Sequence, residues 1–323
     1  MTGKLRARAR STAILAGVLA SALAAGPRFA AGWNAANRAA GTFVTVESGA
    51  KLWVESEGKG PPLLLIPGGP GMAQDYFHPY FSRLAVRNRV IYFDAAGRGR
   101  SSNAVTYSLS RDVADIEGLR KALGLTALSL FGHSYGGTVA LAYALRFPQA
   151  VDKLILADAP LSGAAWQRSI DACNRRIRDE LPAVWSHIQR LRAAGARSSS
   201  PAHQAVYEVP AGFYFYRREV EGAAALAVNP RVYYAIAGDD ADFKLGGELA
   251  KLDLRPGLAA LRMPVLLLAG RHDQVVPVED ALAARVGARR VKVAVLEHSG
   301  HFPFIEEPEE TMALIERFLA PAR

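Results

Sequence analysis

The segment that most restricts what this chain can become is Gly132-His133-Ser134-Tyr135-Gly136. It follows the apolar run 128–131 and opens the helix-length stretch 137–147. A glycine on each side of a serine lets a strand turn sharply into a helix, because a side chain at either glycine would meet neighbouring backbone. The turn leaves the serine hydroxyl exposed at the strand end. A hydroxyl is a weak nucleophile until a base takes its proton. The pattern therefore asks for a histidine elsewhere in the chain and an acid to orient it.

The rest of the chain supplies the scaffold for such a turn. Residues 63–66, 90–93, 154–157, 265–269 and 291–296 are further short apolar runs. Runs of this kind fit strands buried on both faces of a mostly parallel sheet. Helix-length stretches at 76–84, 111–123, 278–286 and 309–319 alternate with them. Two more strand-like segments, 42–47 and 51–55, are split by the Ser48-Gly49 turn. The expected class is α/β, a mostly parallel central sheet flanked by helices. Residues 161–255 contain no buried-strand run and read as helices and loops, so a helical cap is expected after the sixth strand. The core then comprises 42–160 and 256–323.

The amino end has the layout of an export signal. Lys4, Arg6, Arg8 and Arg10 precede an apolar run at 11–25, and Ala22-Leu23-Ala24 matches a small-residue cleavage site. Residues 1–24 are expected to be removed, with 25–41 as a linker, and the product to be periplasmic or secreted. Only an uncleaved segment would hold the chain to a membrane. Losing those four charges takes the formal net charge from +9 to +5. Arg175, Arg176, Arg178, Arg190 and Arg192 cluster in helix-like sequence. With no nucleic-acid motif beside them they read as a solvated helix face. The expected partner is a small-molecule or short-peptide substrate, not nucleic acid. Cys173 is the single cysteine, which excludes an intrachain disulfide.

Among seven histidines, His301 sits in Ser299-Gly300-His301-Phe302-Pro303, a glycine-bearing loop between the last apolar run and the final helix. It is preferred as base over His298. Asp273, three residues past Gly270 at a strand end, is the preferred acid, with Asp158 as the alternative one strand earlier. Asp273 would hold the imidazole tautomer and stabilise the imidazolium. The developing oxyanion needs backbone donors. Tyr135, following the serine, provides one. Gly69 in Pro67-Gly68-Gly69-Pro70-Gly71 is the choice for the other. The run Asp94-Ala95-Ala96-Gly97-Arg98-Gly99-Arg100-Ser101 reads as a tight loop braced by Asp94 and Arg98. This chemistry needs no cofactor; no paired-cysteine motif is present, histidine pairs at metal-ligand spacing within a helix are absent, and His298 and His301 are better explained by the base-bearing loop.

Together these residues resemble the α/β-hydrolase superfamily over 42–160 and 255–320. Within it the resemblance is to the proline iminopeptidases and their tricorn-interacting branch. Pro67 to Gly71 is similar to that family's HGGPG loop. Asn229-Pro230-Arg231-Val232-Tyr233 and residues 246–253 look like its segment leading out of the cap. The resemblance implies a serine hydrolase that cleaves a small amide or peptide at a free N-terminal residue, with cap carboxylates binding the amine. There are departures: Pro67 stands where the family has His, and Ala95 and Ala96 stand in its D-Q-x-G segment. Asp242, followed by Phe243, replaces an expected Glu–Phe pair. Asp242 and Glu208 are the candidate amine ligands. Phe215 and Tyr216, with Tyr207, Phe213 and Tyr214, are candidates for an apolar pocket or for cap core. A carboxylesterase or lactonase would use the same triad. A non-catalytic binding protein on this fold would typically have lost a triad member.

Overall fold

The computed structural model describes residues 41–207, 209–217, 228–240 and 243–321. Its centre is one eight-stranded sheet in the order β1-β2-β4-β3-β5-β6-β7-β8. The strands are β1 Thr42–Thr45, β2 Lys51–Glu57, β3 Pro62–Ile66, β4 Arg89–Phe93, β5 Leu128–His133, β6 Val151–Ala157, β7 Val265–Gly270 and β8 Val291–Leu296. β1 and β2 run antiparallel to their neighbours, and β3 to β8 pair in parallel.

Continuous apolarity in the middle strands follows from coverage on both faces. Every residue of β5 and β7 is buried, whereas the edge strands β1 and β8 expose part of theirs. Alternate side chains divide between two cores. Leu64, Ile66 and Leu130 join Val113 and Ile116 of α1 (Leu109–Ala122) and Val139 of α2 (Tyr135–Arg146). Leu63, Leu65 and Phe131 join Phe77, Phe304 and Met312 on the other face. Met312 lies on α9 (Pro308–Leu319), the last of the helices.

Between β6 and β7 the described residues are helical or irregular. They form α3 (Gly163–Glu180), α4 (Pro182–Ala193), the single turn α5 (Pro201–Gln204) and α6 (Pro230–Ala237). Ser162 caps α3 by accepting the Ala165 N–H. The chain enters and leaves this insertion side by side: Gly163 donates to the Leu252 carbonyl and Leu254 to that of Leu161. Asn229 pins α6 to the core, its Nδ2 donating to the Gly97 carbonyl at 2.7 Å and its backbone N–H to that of Gly71 at 2.9 Å. After β7 come α7 (Val278–Ala284) and α8 (Pro303–Glu306).

The stretch 76–84, expected as one helix, is two 3₁₀ helices, Gln74–Phe77 and Tyr80–Val86. Pro79 has no N–H to continue a helix, and it holds His78 in extended conformation. The predicted export signal and most of its linker lie outside the described residues.

Candidate active site

β5 ends at His133 and α2 begins at Tyr135, which leaves Ser134 alone in the turn at φ 54°, ψ −123°. A non-glycine residue adopts this conformation only where its surroundings over-determine it. The two glycines do so. A Cβ on Gly132 would lie 2.3 Å from the Gly136 carbonyl oxygen, and one on Gly136 would lie 2.0 Å from that of Ile66. Tyr135 N–H is an orphan donor of the first helical turn. Neither it nor the Gly69 N–H has an acceptor among the described residues. Gly69, Ser134 and His301 line one cavity.

His301 Nδ1 lies 2.8 Å from Asp273 Oδ2, and both side chains are buried. Asp273 Oδ1 accepts the N–H groups of Val275 and Val276 at 2.7 and 3.0 Å, which fixes the carboxylate plane. His301 N–H donates to the Tyr214 carbonyl at 2.8 Å. The loop before it is held by two carboxylates: Glu306 accepts from Gly300 N–H, and Glu307 from His298 N–H and Ser299 Oγ–H. The His298 ring is exposed and makes no contact with Asp273. Asp158 is not the histidine's partner. It is 2% exposed, and its Oδ1 accepts Gly270 N–H at 2.9 Å. Burial, and then the charge of Asp273, hold its carboxyl well above the usual range.

A line of hydrogen bonds that sequence reasoning missed joins three loops of this site. His133 Nε2 is 2.8 Å from the His301 carbonyl oxygen, and Nδ1 is 2.9 Å from Tyr76 Oη. A carbonyl can only accept, so Nε2 carries the proton and Nδ1 accepts from Tyr76. The Tyr76 oxygen in turn accepts Gly68 N–H at 2.8 Å. Complete burial, and then His301, push the His133 pKa well down, so the ring stays neutral in this role. The sequence signal was present, since His133 occupies the variable position before the serine.

The 94–101 loop is braced as expected, with partners the sequence did not identify. Asp94 accepts Gln74 N–H and Arg100 N–H. Arg98 makes a buried two-point pair with Asp112 of α1, both bonds at 2.7 Å. Tyr135 Oη–H also donates to Asp112, at 2.8 Å, so this pair supports the first residue after the nucleophile.

The cavity over Ser134 has a volume of about 540 Å³. Its aromatic wall corrects part of the sequence reading. Tyr207, Phe213 and Tyr214 line it; Phe215 and Tyr216 do not. Phe215 turns into the core and stacks on Phe302, while Tyr216 lies at the surface on His272. The segment is a turn following the 3₁₀ helix Ala211–Phe213, and Phe213 and Tyr214 take the cavity side. Asp242 and Glu208 lie outside the described residues. Among the described lining residues the one carboxylate is Asp240, 3.3 Å from Arg192. Arg192, read from sequence as part of a solvated face, has a side chain only 5% exposed, with its guanidinium carbon 3.6 Å from the Phe243 ring centroid.

The alpha/beta hydrolase fold family model matches residues 61–308. A proline iminopeptidase of Heyndrickxia coagulans is 31% identical over 274 residues, covering 82% of this chain and 92% of its own. The solved proline iminopeptidase of Mycobacterium smegmatis superposes with a TM-score of 0.67 at 24% identity, covering 86% of this chain and 97% of its own. An esterase from Exiguobacterium antarcticum superposes with a TM-score of 0.62 at 25% identity, over 87% of this chain and 100% of its own.

Proposed function

Because the chain belongs to the α/β-hydrolase fold family and resembles its proline iminopeptidases, we propose that it is a serine hydrolase acting on a small amide or peptide at its amino end, through an acyl-enzyme on Ser134. The observation that carries the reading is the buried 2.8 Å contact of His301 Nδ1 with Asp273, at a cavity shared by His301 and Ser134. With Asp273 on Nδ1, the other ring nitrogen, Nε2, is the one left to take the serine proton.

In this mechanism Ser134 Oγ bonds to the substrate carbonyl carbon as its proton passes to His301. The carbonyl oxygen becomes an oxyanion facing the N–H groups of Gly69 and Tyr135. The C–N bond then breaks, and the leaving amine takes the proton from His301. Water adds to the acyl-enzyme by the same route, releasing the acid and restoring Ser134. Asp273 remains ionised and stabilises the imidazolium.

An ester or lactone substrate is the second reading. It is favoured by the cavity's mainly aromatic and apolar wall, and by Asp240 being already engaged with Arg192. The arginine-rich start and the apolar run 11–25 support export of the mature chain.

The test compares a chromogenic aminoacyl arylamide, its N-acetylated form and a short aryl ester. The proposal expects turnover of the free-amine amide and a loss of about 10⁶-fold in kcat for Ser134→Ala. Turnover of the ester alone moves the assignment to esterase. Retained turnover by Ser134→Ala overturns the serine mechanism.

A further inference from the structure

The loop that carries Gly69 is tied down at several points. Gly68 N–H donates to Tyr76 Oη at 2.8 Å. The Gly71 carbonyl accepts the backbone N–H of Asn229 at 2.9 Å, and Met72 bridges Val228 as an isolated antiparallel pair. Just beyond, Gln74 N–H donates to Asp94 Oδ1 at 3.0 Å. The contact with residues 228–229 is close: a Cβ on Gly71, whose φ is 106°, would lie 2.8 Å from the Asn229 carbonyl oxygen. Pro70 brings no N–H of its own, so the shape of the loop rests on these anchors.

Asn229 is itself fixed by its side chain. Its Nδ2 donates to the Gly97 carbonyl at 2.7 Å, and its Oδ1 accepts Arg231 N–H at 3.0 Å, which caps α6. Gly97 is held in turn. Its N–H donates to the Ser102 carbonyl at 2.9 Å, and Tyr107 lies so close that a Cβ on Gly97 would meet its ring at 2.5 Å. The next residue, Arg98, makes the buried pair with Asp112 that also receives Tyr135 Oη–H. Neighbouring residues of one loop therefore brace both oxyanion donors: Gly97 through Asn229 to the loop of Gly69, and Arg98 through Asp112 to Tyr135. The same Asn229 opens α6, whose Pro230, Tyr233 and Ala237 line the cavity.

We infer that Asn229 is a positioning residue for the reaction, joining the cap to the oxyanion hole. By gripping the Gly97 carbonyl it holds its own N–H against Gly71, and so sets where the Gly69 N–H points. This rests on the acyl-enzyme reading above, with Gly69 as a donor to the oxyanion. Asn229 does not line the cavity, so it acts through the loop it clamps. Asparagine suits the place because one amide donates to the core and accepts from the helix start. An aspartate keeps the helix cap and loses the donor to Gly97. Donors aimed at an oxyanion act most strongly in the tetrahedral intermediate, so a displaced donor weakens that state and leaves ground-state binding in place.

The experiment compares Asn229→Asp with wild type, using p-nitrophenyl acetate as substrate and two inhibitors of one shape, benzyl trifluoromethyl ketone and the alcohol made by reducing it. Ser134 Oγ adds to the ketone carbon, its proton passes to His301, and the carbonyl oxygen becomes an oxyanion; the alcohol binds without forming one. Asn229→Asp is expected to lower kcat/KM and to weaken the ketone by the same factor, about tenfold, with the alcohol unchanged. That is less than the loss of about 10²–10³-fold when an oxyanion donor is removed outright. Equal weakening of ketone and alcohol makes Asn229 a shaper of the cavity and overturns the inference, as does a ketone affinity left at the wild-type value. Thermal melting identifies a variant that fails to fold, and Asn229→Ser, which keeps a capping hydroxyl, then reads the same quantities. A wild type that binds the ketone no tighter than the alcohol, or turnover of p-nitrophenyl acetate by Ser134→Ala, overturns the acyl-enzyme reading instead, so the two failures are told apart.

Discussion

His133 donates a hydrogen bond from Nε2 to the carbonyl oxygen of His301 at 2.8 Å, so the residue before the nucleophile holds the backbone of the residue that would be its base. Replacing it by alanine removes that donor and frees the loop to shift. A misplacement near 1 Å costs about 10²-fold in rate. His133→Ala is therefore expected to lower kcat by about 10–10²-fold with KM little changed. Steady-state kinetics on a chromogenic ester, with a melting curve to establish folding, would decide. A loss confined to KM would assign His133 to substrate binding instead.

The same histidine makes stability depend on pH. Its folded pKa lies well below the ordinary histidine value of about 6.5, through burial and then the charge of His301. Below about 6.5 the unfolded chain binds a proton that the folded ring does not. Stability is then full above that pH and falls as the pH drops from there toward the folded pKa. His203 is shifted downward as well and adds in the same direction. Urea midpoints should fall further between pH 7.5 and pH 5 for the wild type than for His133→Gln, so that any advantage of the wild type at pH 7.5 narrows at pH 5. Equal losses would place the acid sensitivity elsewhere.

Two adjacent aspartates should respond in opposite ways. Asp273→Asn keeps the shape and loses the charge that orients His301, which is expected to cost about 10⁴-fold in kcat. Asp158→Asn keeps the oxygen that accepts Gly270 N–H and should leave the rate near wild type. Because the folded pKa of Asp158 is raised, its contribution is complete below the ordinary aspartate value of about 3.8 and is lost as pH rises through the folded value. Asp158→Asn should accordingly melt higher than wild type in alkaline buffer and equally in acid. A large kcat loss in Asp158→Asn would make that residue the working acid.

The Arg98–Asp112 pair is expected to carry a large stability effect. Asp112→Ala strands a buried guanidinium and removes the acceptor of Tyr135 Oη–H. Breaking one side of a buried pair costs about 3–5 kcal/mol. Urea unfolding should show a loss of that size. A change below about 1 kcal/mol would mean that water reaches Arg98 and repairs the site.

What the sequence determined by itself was whatever short-range sterics dictate. The Gly132 and Gly136 positions are readable because a Cβ at either would meet backbone at 2.0–2.3 Å. The middle of the sheet was readable because strands covered on both faces must be apolar throughout, and the positions of Asp273 and His301 because each falls in the loop after a strand, β7 and the edge strand β8. The cap was legible as an interruption of that rhythm, and little more. An amphipathic stripe such as Trp166 to Asn174 reads the same whether it faces solvent, core or cavity, and only the elements packed opposite decide. Tertiary structure alone brought Arg192 from an apparent surface face into the cavity, turned Tyr214 inward and Phe215 away, and set Asp112 beside Arg98 and Tyr135. It also closed the line from Gly68 through Tyr76 and His133 to His301. Each of these joins residues far apart in the chain, where burial and hydrogen bonding depend on what the fold places beside them and not on local pattern.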